Sequence, residues 1–202
     1  MGSVKSYRAI RHDVVREKQK LNIDEVHHPS EKKEQITKVL NGKKDLKILE
    51  LFCGEGNLTN TYQNFGNVTC YDKKLKTGDS FREYHRLIAD KKTFDVVDLD
   101  PYGFPNRFFP DIYLLINNGY LFVTCPIPSV NILHGITKTH LYSYFESDNP
   151  SINIIIEKFA LYGLSHWRKV ELIDLIKMDR MYRFVFAVEK IKSTEYTGVN
   201  NR

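Results

Sequence analysis

The chain has little of what membrane anchoring, secretion or metal scaffolding requires. None of its apolar runs approaches the roughly 18 residues of a membrane span, so no membrane association is expected. The N-terminus lacks an apolar stretch and mixes Arg8, Arg11 and Arg16 with Asp13 and Glu17, which is not the make-up of a signal peptide. Cysteine is scarce: Cys53, Cys70 and Cys125 are an odd number, at unpatterned spacing, inside apolar stretches. They read as buried free thiols in the cytoplasm or another reducing intracellular compartment. The histidines form no ligand-spaced set with them: His27 and His28 are adjacent and read as solvated, and His134 and His140 stand six apart. No metal site is expected. Internal repeats and low-complexity tracts are missing too, and 202 residues fit one domain.

What is present is ordinary in bulk and basic in balance. A hydrophobic fraction of 42% with 27% charged residues suits a soluble globular protein. The net charge is +5, with clusters at Lys5-Arg8-Arg11, Arg16-Lys18-Lys20, Lys43-Lys44-Lys47 and Lys73-Lys74-Lys76. Such clusters can follow a phosphate backbone, and equally they can be the solvated surface of a lysine-rich protein.

Three regions are expected: a basic N-terminal arm over residues 1–29, a folded domain over 30–190, and a polar tail over 191–202. Ser30 is placed to cap a helix to Leu40, with Asn41-Gly42 as its stop. Strands are expected at Lys47–Phe52, Asn67–Tyr71, Phe94–Leu99 and Tyr120–Thr124. Between them, helices are expected from Leu58, from Asp79 or Ser80 to Ala89, and over Phe109–Asn117 with Asn118-Gly119 as the stop. A short helix at Leu141–Phe145 precedes one capped by Ser151 and closed by Gly163. Lys169–Lys177 and Met181–Lys190 alternate as two strands of a hairpin turning at Met178-Asp179-Arg180. Strand–helix alternation followed by a hairpin predicts an α/β fold, a Rossmann-like sheet with an antiparallel C-terminal edge. Only six residues separate Asp72 from Asp79, too few for a crossover helix, so one unit after the second strand is trimmed.

The most informative stretch is Phe94-Asp-Val-Val-Asp-Leu-Asp-Pro-Tyr-Gly-Phe-Pro105. An apolar run ends in Asp100-Pro101-Tyr102-Gly103, a buried strand delivering a carboxylate, a stiff turn and an aromatic ring to its C-terminal edge. Ligands bind at that edge in open α/β sheets. The grouping suits methyl transfer to an exocyclic amino group of a nucleobase: the carboxylate accepts a hydrogen bond from the amine and the ring stacks on the base. Upstream, Glu50-Leu-Phe52-Cys-Gly54-Glu-Gly56-Asn57 closes the first strand and opens a helix. Its glycines allow close backbone approach to a ligand. Asp72, ending the second strand, suits ribose hydroxyls, and Asp79 stands where a further acid can reach an adenine amino group. The pattern suits S-adenosylmethionine better than a dinucleotide. A dinucleotide loop wants a third glycine where Thr59 stands, and Glu55 would oppose a pyrophosphate.

These stretches resemble the catalytic domain of the tRNA guanine-N2 dimethyltransferases, a family of class I S-adenosylmethionine-dependent methyltransferases. The likeness is carried by Arg8-Ala-Ile-Arg11-His-Asp13-Val14, Glu50 to Gly56, Asp98-Leu-Asp100-Pro-Tyr-Gly-Phe-Pro105-Asn-Arg-Phe108, Gly119 to Cys125 and Asp179 to Phe186. The resemblance implies that Asp100 holds the target amine, with Pro101 and Tyr102 walling the base. It also implies that Arg11 and Asp13 approach donor or target from the arm. The candidate sets are then Asp100, Pro101 and Tyr102 for catalysis; Glu50, Phe52, Gly54, Gly56, Asp72, Asp79 and Asp98 for the cofactor; and Arg11, Asp13, Tyr102, Phe104 and Arg107 for the substrate. The expected partner is nucleic acid, RNA favoured over DNA. No counterpart is expected here to the C-terminal substrate domain that the family uses to grip its RNA.

Two other readings compete. Thr124-Cys125-Pro126 at a strand end resembles the nucleophile of RNA cytosine-5 methyltransferases, with a buried structural cysteine as the plainer alternative. An inactive methyltransferase-fold subunit, binding nucleic acid or a protein partner, is the other. Trp167 reads as a core or helix–strand junction residue. At least two of Phe104, Phe108 and Phe109 read as core.

Overall fold

The structure is a computed structural model and describes residues 27–73, 76–101, 103–127 and 138–192. Tyr102, Arg11 and Asp13 lie outside the described residues, as do His134, Lys74 and most of the arm and tail.

Among the described residues, six strands form one sheet in the order β2-β1-β3-β4-β6-β5. They are β1 (Leu46–Leu51), β2 (Gly66–Tyr71), β3 (Phe94–Leu99), β4 (Ile116–Pro126), β5 (Arg168–Met178) and β6 (Met181–Lys190). β1 to β4 pair in parallel, and β6 runs antiparallel to both β4 and β5. This is the expected mixed α/β sheet with an antiparallel C-terminal hairpin. β2 is an edge strand, followed directly by the helix that leads to β3, as the short Asp72–Asp79 spacing requires.

Helices cover both faces. α1 (Pro29–Leu40) and the single turn α2 (Thr59–Tyr62) pack on one, where Ile36, Leu40, Ile48, Leu58, Tyr62, Val96, Phe122 and Val185 form the smaller core. α3 (Ser80–Ala89), a 3-10 turn (Ile112–Leu115), α4 (Lys138–Phe145) and α5 (Ile152–Ser165) cover the other, burying Leu49, Leu51, Val97, Leu99, Leu121, Val123, Phe184 and Phe186 in the larger core. Alternate residues of each strand point to opposite faces, so one strand feeds both cores.

Several expectations change. Ser30 is not the cap of α1; His28 holds that position in the left-handed region (φ 49°) and Pro29 opens the helix, where its missing N–H costs nothing. The expected helix at Phe109–Asn117 shrinks to the 3-10 turn, and β4 already begins at Ile116. Asn118-Gly119 therefore sits inside a strand: a Cβ on Gly119 would strike the Asp95 carbonyl of β3, so the glycine serves close strand approach rather than a helix stop. Gly163 likewise lies within α5, pressed against Val170. Trp167 occupies the α5–β5 junction (φ 58°) and is half exposed rather than core. A bulge between Leu172 and Asp174 shifts the alternation of β5 and turns Asp174 toward α1, where its carboxylate accepts from Gln35 Nε2 (2.9 Å) and pairs with Lys38 Nζ (2.6 Å).

Cys53 and Cys70 are joined in a disulfide with a Cα–Cα distance of 6.0 Å, which corrects the expectation of free thiols at both. Cys70 is in register with Glu50, and the chain doubles back after β1 through Phe52 (φ 69°) to bring Cys53 over it. The expectation of a reducing compartment rested on those thiols. Cys125 is free and buried. Among the described residues, no helix is long and apolar enough to cross a membrane.

Candidate active site

The C-terminal ends of the parallel strands open into a cavity of about 940 Å³. From β1 and the loop after it come Glu50, Phe52, Cys53, Gly54, Glu55 and Asn57; from the end of β2 comes Asp72, and from the start of α3 come Asp79, Ser80 and Phe81. Asp100, Pro101 and Gly103 enter from the end of β3, Thr124 and Pro126 from β4, and Asp179 to Met181 from the hairpin. His27, His28 and Lys32 close the remaining side. A second cavity, of about 830 Å³, opens beside Asn118, Trp167 and Lys190 at the other end of the sheet and takes in none of these residues.

The loop Cys53–Asn57 is shaped by its glycines. Gly54 (φ 57°) and Gly56 (φ 81°) adopt left-handed backbone, and a Cβ on Gly54 would meet nothing within 4 Å, so the backbone is open to the cavity. The Gly54 N–H donates to Asp72 Oδ2 at 3.1 Å, which ties the loop to the end of β2. Gly56 serves the turn itself, its N–H donating to the Cys53 carbonyl at 2.8 Å. Asp79 caps α3 by accepting from the Phe81 and Arg82 N–H groups and pairs with Lys73 (2.6 Å). Its carboxylate is held below the usual range by the Lys73 hydrogen bond and by those backbone donors.

Glu50 is buried and accepts from the Thr59 hydroxyl. Burial, together with the neighbouring Asp98 charge, pushes its carboxyl up to about 8. Asp98, expected in the cofactor set, does not reach the cavity. It is fully buried, one oxygen taking Arg183 Nη2 at 2.6 Å and Tyr62 OH at 2.7 Å, and it has no surface on the cavity. The reason is register: Asp98 sits one residue pair inside the sheet edge, beneath the α1–α2 layer.

Asp100, two residues on, faces the same side but reaches the opening. Its Oδ2 pairs with Lys32 Nζ at 2.6 Å, and Thr124 also hydrogen-bonds it. Burial works to raise its pKa, but the Lys32 and Arg183 charges prevail and hold the carboxyl below its ordinary value. Arg107 lies over the Phe81 ring, 5.6 Å from its centroid, at the rim. Phe104 is not on the cavity; it packs edge-on against Phe109 and Phe145. Cys125 points to the opposite face of the sheet, into the larger core, where burial pushes its thiol up. That placement removes it as a nucleophile for this cavity and with it the cytosine-5 reading.

Several contributors have no place in the sequence-based sets. Lys32 shares a helical stripe with Ile36 and Leu40, a spacing that marks a lysine on a buried face. Thr124 and the Asp179–Met181 turn are strand-end residues in stretches the family likeness covered for other reasons. His27 and His28, read as solvated, line the cavity.

No protein-family model matches the sequence, and no curated protein matches it. Solved structures do. Trm1 from Pyrococcus horikoshii in complex with S-adenosyl-L-methionine aligns with a TM-score of 0.56 at 16% identity, covering 77% of this chain and 53% of that one. The Methanococcus jannaschii fibrillarin pre-rRNA processing protein aligns at 0.52 and 12%, covering 84% and 77%. Magnesium protoporphyrin IX methyltransferase from Synechocystis, solved with bound SAH, aligns at 0.51 and 12%, covering 81% and 83%. The chain thus has the fold of the S-adenosylmethionine-dependent methyltransferases. It spans about half the length of Trm1.

Proposed function

We propose that the protein transfers a methyl group from S-adenosylmethionine to an exocyclic amino group of a nucleobase in nucleic acid, with guanine N2 of a tRNA-like RNA as the target. The observation that carries this reading is the meeting, in one cavity, of an open glycine loop backed by Asp72 with the strand-end carboxylate of Asp100.

The residues present fit the donor. The open face of Gly54 leaves room for close approach, Asp72 offers acceptors for ribose hydroxyls, and Phe52 and Phe81 offer apolar wall for an adenine ring. Glu50 and Asp79 complete the set from β1 and α3. When bound, the donor supplies an electrophilic methyl group on a sulfonium.

The protein's work is then positioning. Asp100 accepts a hydrogen bond from the target amine and turns its nitrogen lone pair toward the methyl group. A donor held by the glycine loop would supply its methyl group to that nitrogen and leave as the neutral thioether, and Asp100 or water would take the amine proton. Because Asp100 favours its ionised form, it is present as an acceptor throughout the neutral range. Pro101 stiffens the turn, and the resemblance assigns the base to Tyr102. Arg107, Lys73 and Arg180 put positive charge at the rim for a phosphate backbone. The arm, residues 1–29, would bring Arg11 and Asp13 to the same mouth, against a domain over 30–190. RNA is favoured because the sequence resembles tRNA methyltransferases and because the fibrillarin neighbour is a pre-rRNA processing protein.

The test uses isotopically labelled S-adenosylmethionine with the purified chain and, separately, unmodified tRNA and unmethylated duplex DNA, followed by nucleoside mass spectrometry. Label in N2-methylguanosine is expected. Label in N6-methyladenine keeps the amine chemistry and overturns the guanine target. Absence of label together with absence of donor binding by calorimetry overturns the enzyme reading.

A further inference from the structure

Asp100 is the end of a polar chain drawn from four elements that are far apart in sequence. Asp98 on β3 pairs with Arg183 on β6 at 2.6 Å. Arg183 Nη1 donates to Thr124 Oγ1 on β4 at 2.9 Å. That leaves the Thr124 hydroxyl proton to donate onward to Asp100, which also receives Lys32 from α1. Lys32 and Arg183 are both buried, with side chains 5% and 0% exposed. Buried ammonium and guanidinium groups are held in place only by partners of good geometry, so neither is free to drift from the carboxylate it serves.

We propose that Lys32 is a positioning residue for Asp100: it fixes one carboxylate oxygen while Thr124, oriented by Arg183, fixes the carboxylate plane, so that an unshared oxygen lone pair faces the cavity for the target amine. This rests on the reading of Asp100 as the amine acceptor. The α1 helix that supplies Lys32 is itself clamped to the sheet. Gln35 and Lys38 bind Asp174, and Gln35 also donates to the Arg183 carbonyl at 3.3 Å, so Lys32 approaches from a rigid element rather than a loop. Among the described residues, the charged and polar groups that interact with Asp100 are Lys32 from α1, Glu50 from β1, Thr124 from β4 and Arg183 from β6, with Asp98 of β3 behind them and the Cys125 thiol on the far face of the sheet. The two cations among them hold Asp100 below its ordinary value, which agrees with the placement.

The experiment compares the whole chain with Lys32→Met, Lys32→Arg and Thr124→Val. Carboxyl carbon NMR follows the titration of Asp100 without any substrate, and labelled-methyl transfer is measured across pH. In Lys32→Met, Asp100 is expected to titrate at higher pH than in the parent. Turnover should fall on the order of 100-fold, with the acid limb of its pH profile moved up and donor affinity changed far less. Lys32→Arg should restore most of both readouts. Thr124→Val should move the titration in the same direction by less, and it carries the test if Lys32→Met does not fold. An Asp100 titration unchanged by both Lys32→Met and Thr124→Val overturns the inference, and so does a shifted titration with undiminished turnover. If the parent protein methylates no nucleic acid, the proposed function fails, while the titration still reports the pairing on its own.

Discussion

The two faces of the sheet are built from the same strands and end differently. Under α3, α4 and α5 the strands β1, β3, β4 and β6 stay apolar out to the cavity end of the sheet, with Leu51, Leu99, Val123 and Cys125, and Phe184. Aromatic rings then fill the space, with Phe159 against Phe109 (centroids 4.5 Å apart) and Phe186 (4.8 Å). The face under α1 starts the same way, with Ile48, Val96, Phe122 and Val185, and then turns polar toward the C-terminal edge through Glu50, Asp98, Thr124 and Arg183. A buried ionic layer of this kind contributes little net stability, because desolvation offsets most of the attraction. Its position teaches what it is for. It lies directly behind Asp100, so the dry face holds the fold together and the polar face holds a carboxylate in place.

The largest expected effect breaks the polar face at its exposed end. Asp100→Asn should cut methyl transfer on the order of 100- to 10,000-fold with donor binding little changed, read by labelled-methyl transfer beside calorimetry, and it should also lower stability by leaving the buried Lys32 charge unpaired. Next, Phe159→Ala on the dry face should cost about 3–5 kcal/mol in urea unfolding, through the cavity it leaves among Phe109, Phe184 and Phe186. The comparison is sharpened by Asp98→Ala, which strands the Arg183 charge and should cost about 3 kcal/mol. The pair Asp98→Leu with Arg183→Met should recover most of that loss while transfer stays low. Equal activity in the double variant and the parent would show that the polar face serves stability alone.

The smallest effect concerns Glu50. Its folded-state pKa is raised from 4.5 to about 8, so between those values the folded chain holds more protons than the unfolded one. Stability should therefore fall as pH rises from about 5 to about 8, by on the order of 1–3 kcal/mol, and Glu50→Gln should flatten that slope. Urea midpoints at the two ends of the range give the answer directly.

Much of the architecture is legible locally. Phe94–Leu99 is a strand in sequence and in structure because an apolar run is bounded by a turn signal, and Asp79 caps α3 because a carboxylate can reach the next free N–H groups. The β5–β6 hairpin shows in its alternation. What fails locally fails for identifiable reasons. Gly119 looks like a helix stop until β3 comes against it, and Gly163 like a C-cap until Val170 does. Phe104 and Asp98 carry residue types suited to a site, yet one packs under Phe109 and the other is sealed by Arg183. Lys32 carried a legible sign, its spacing with Ile36 and Leu40, but nothing in that spacing names Asp100 as the partner.

The sequence by itself determined where strands end, which of them deliver glycines or carboxylates, and that the crossover after β2 is short, because these depend on periodicity and turn chemistry over a few residues. Only the tertiary structure decided which carboxylate stays exposed, which cysteines meet, and which cations stand behind Asp100. Those outcomes depend on strand order and register, which bring Lys32, Thr124 and Arg183 together across up to 151 positions of chain, and no local propensity reaches that far.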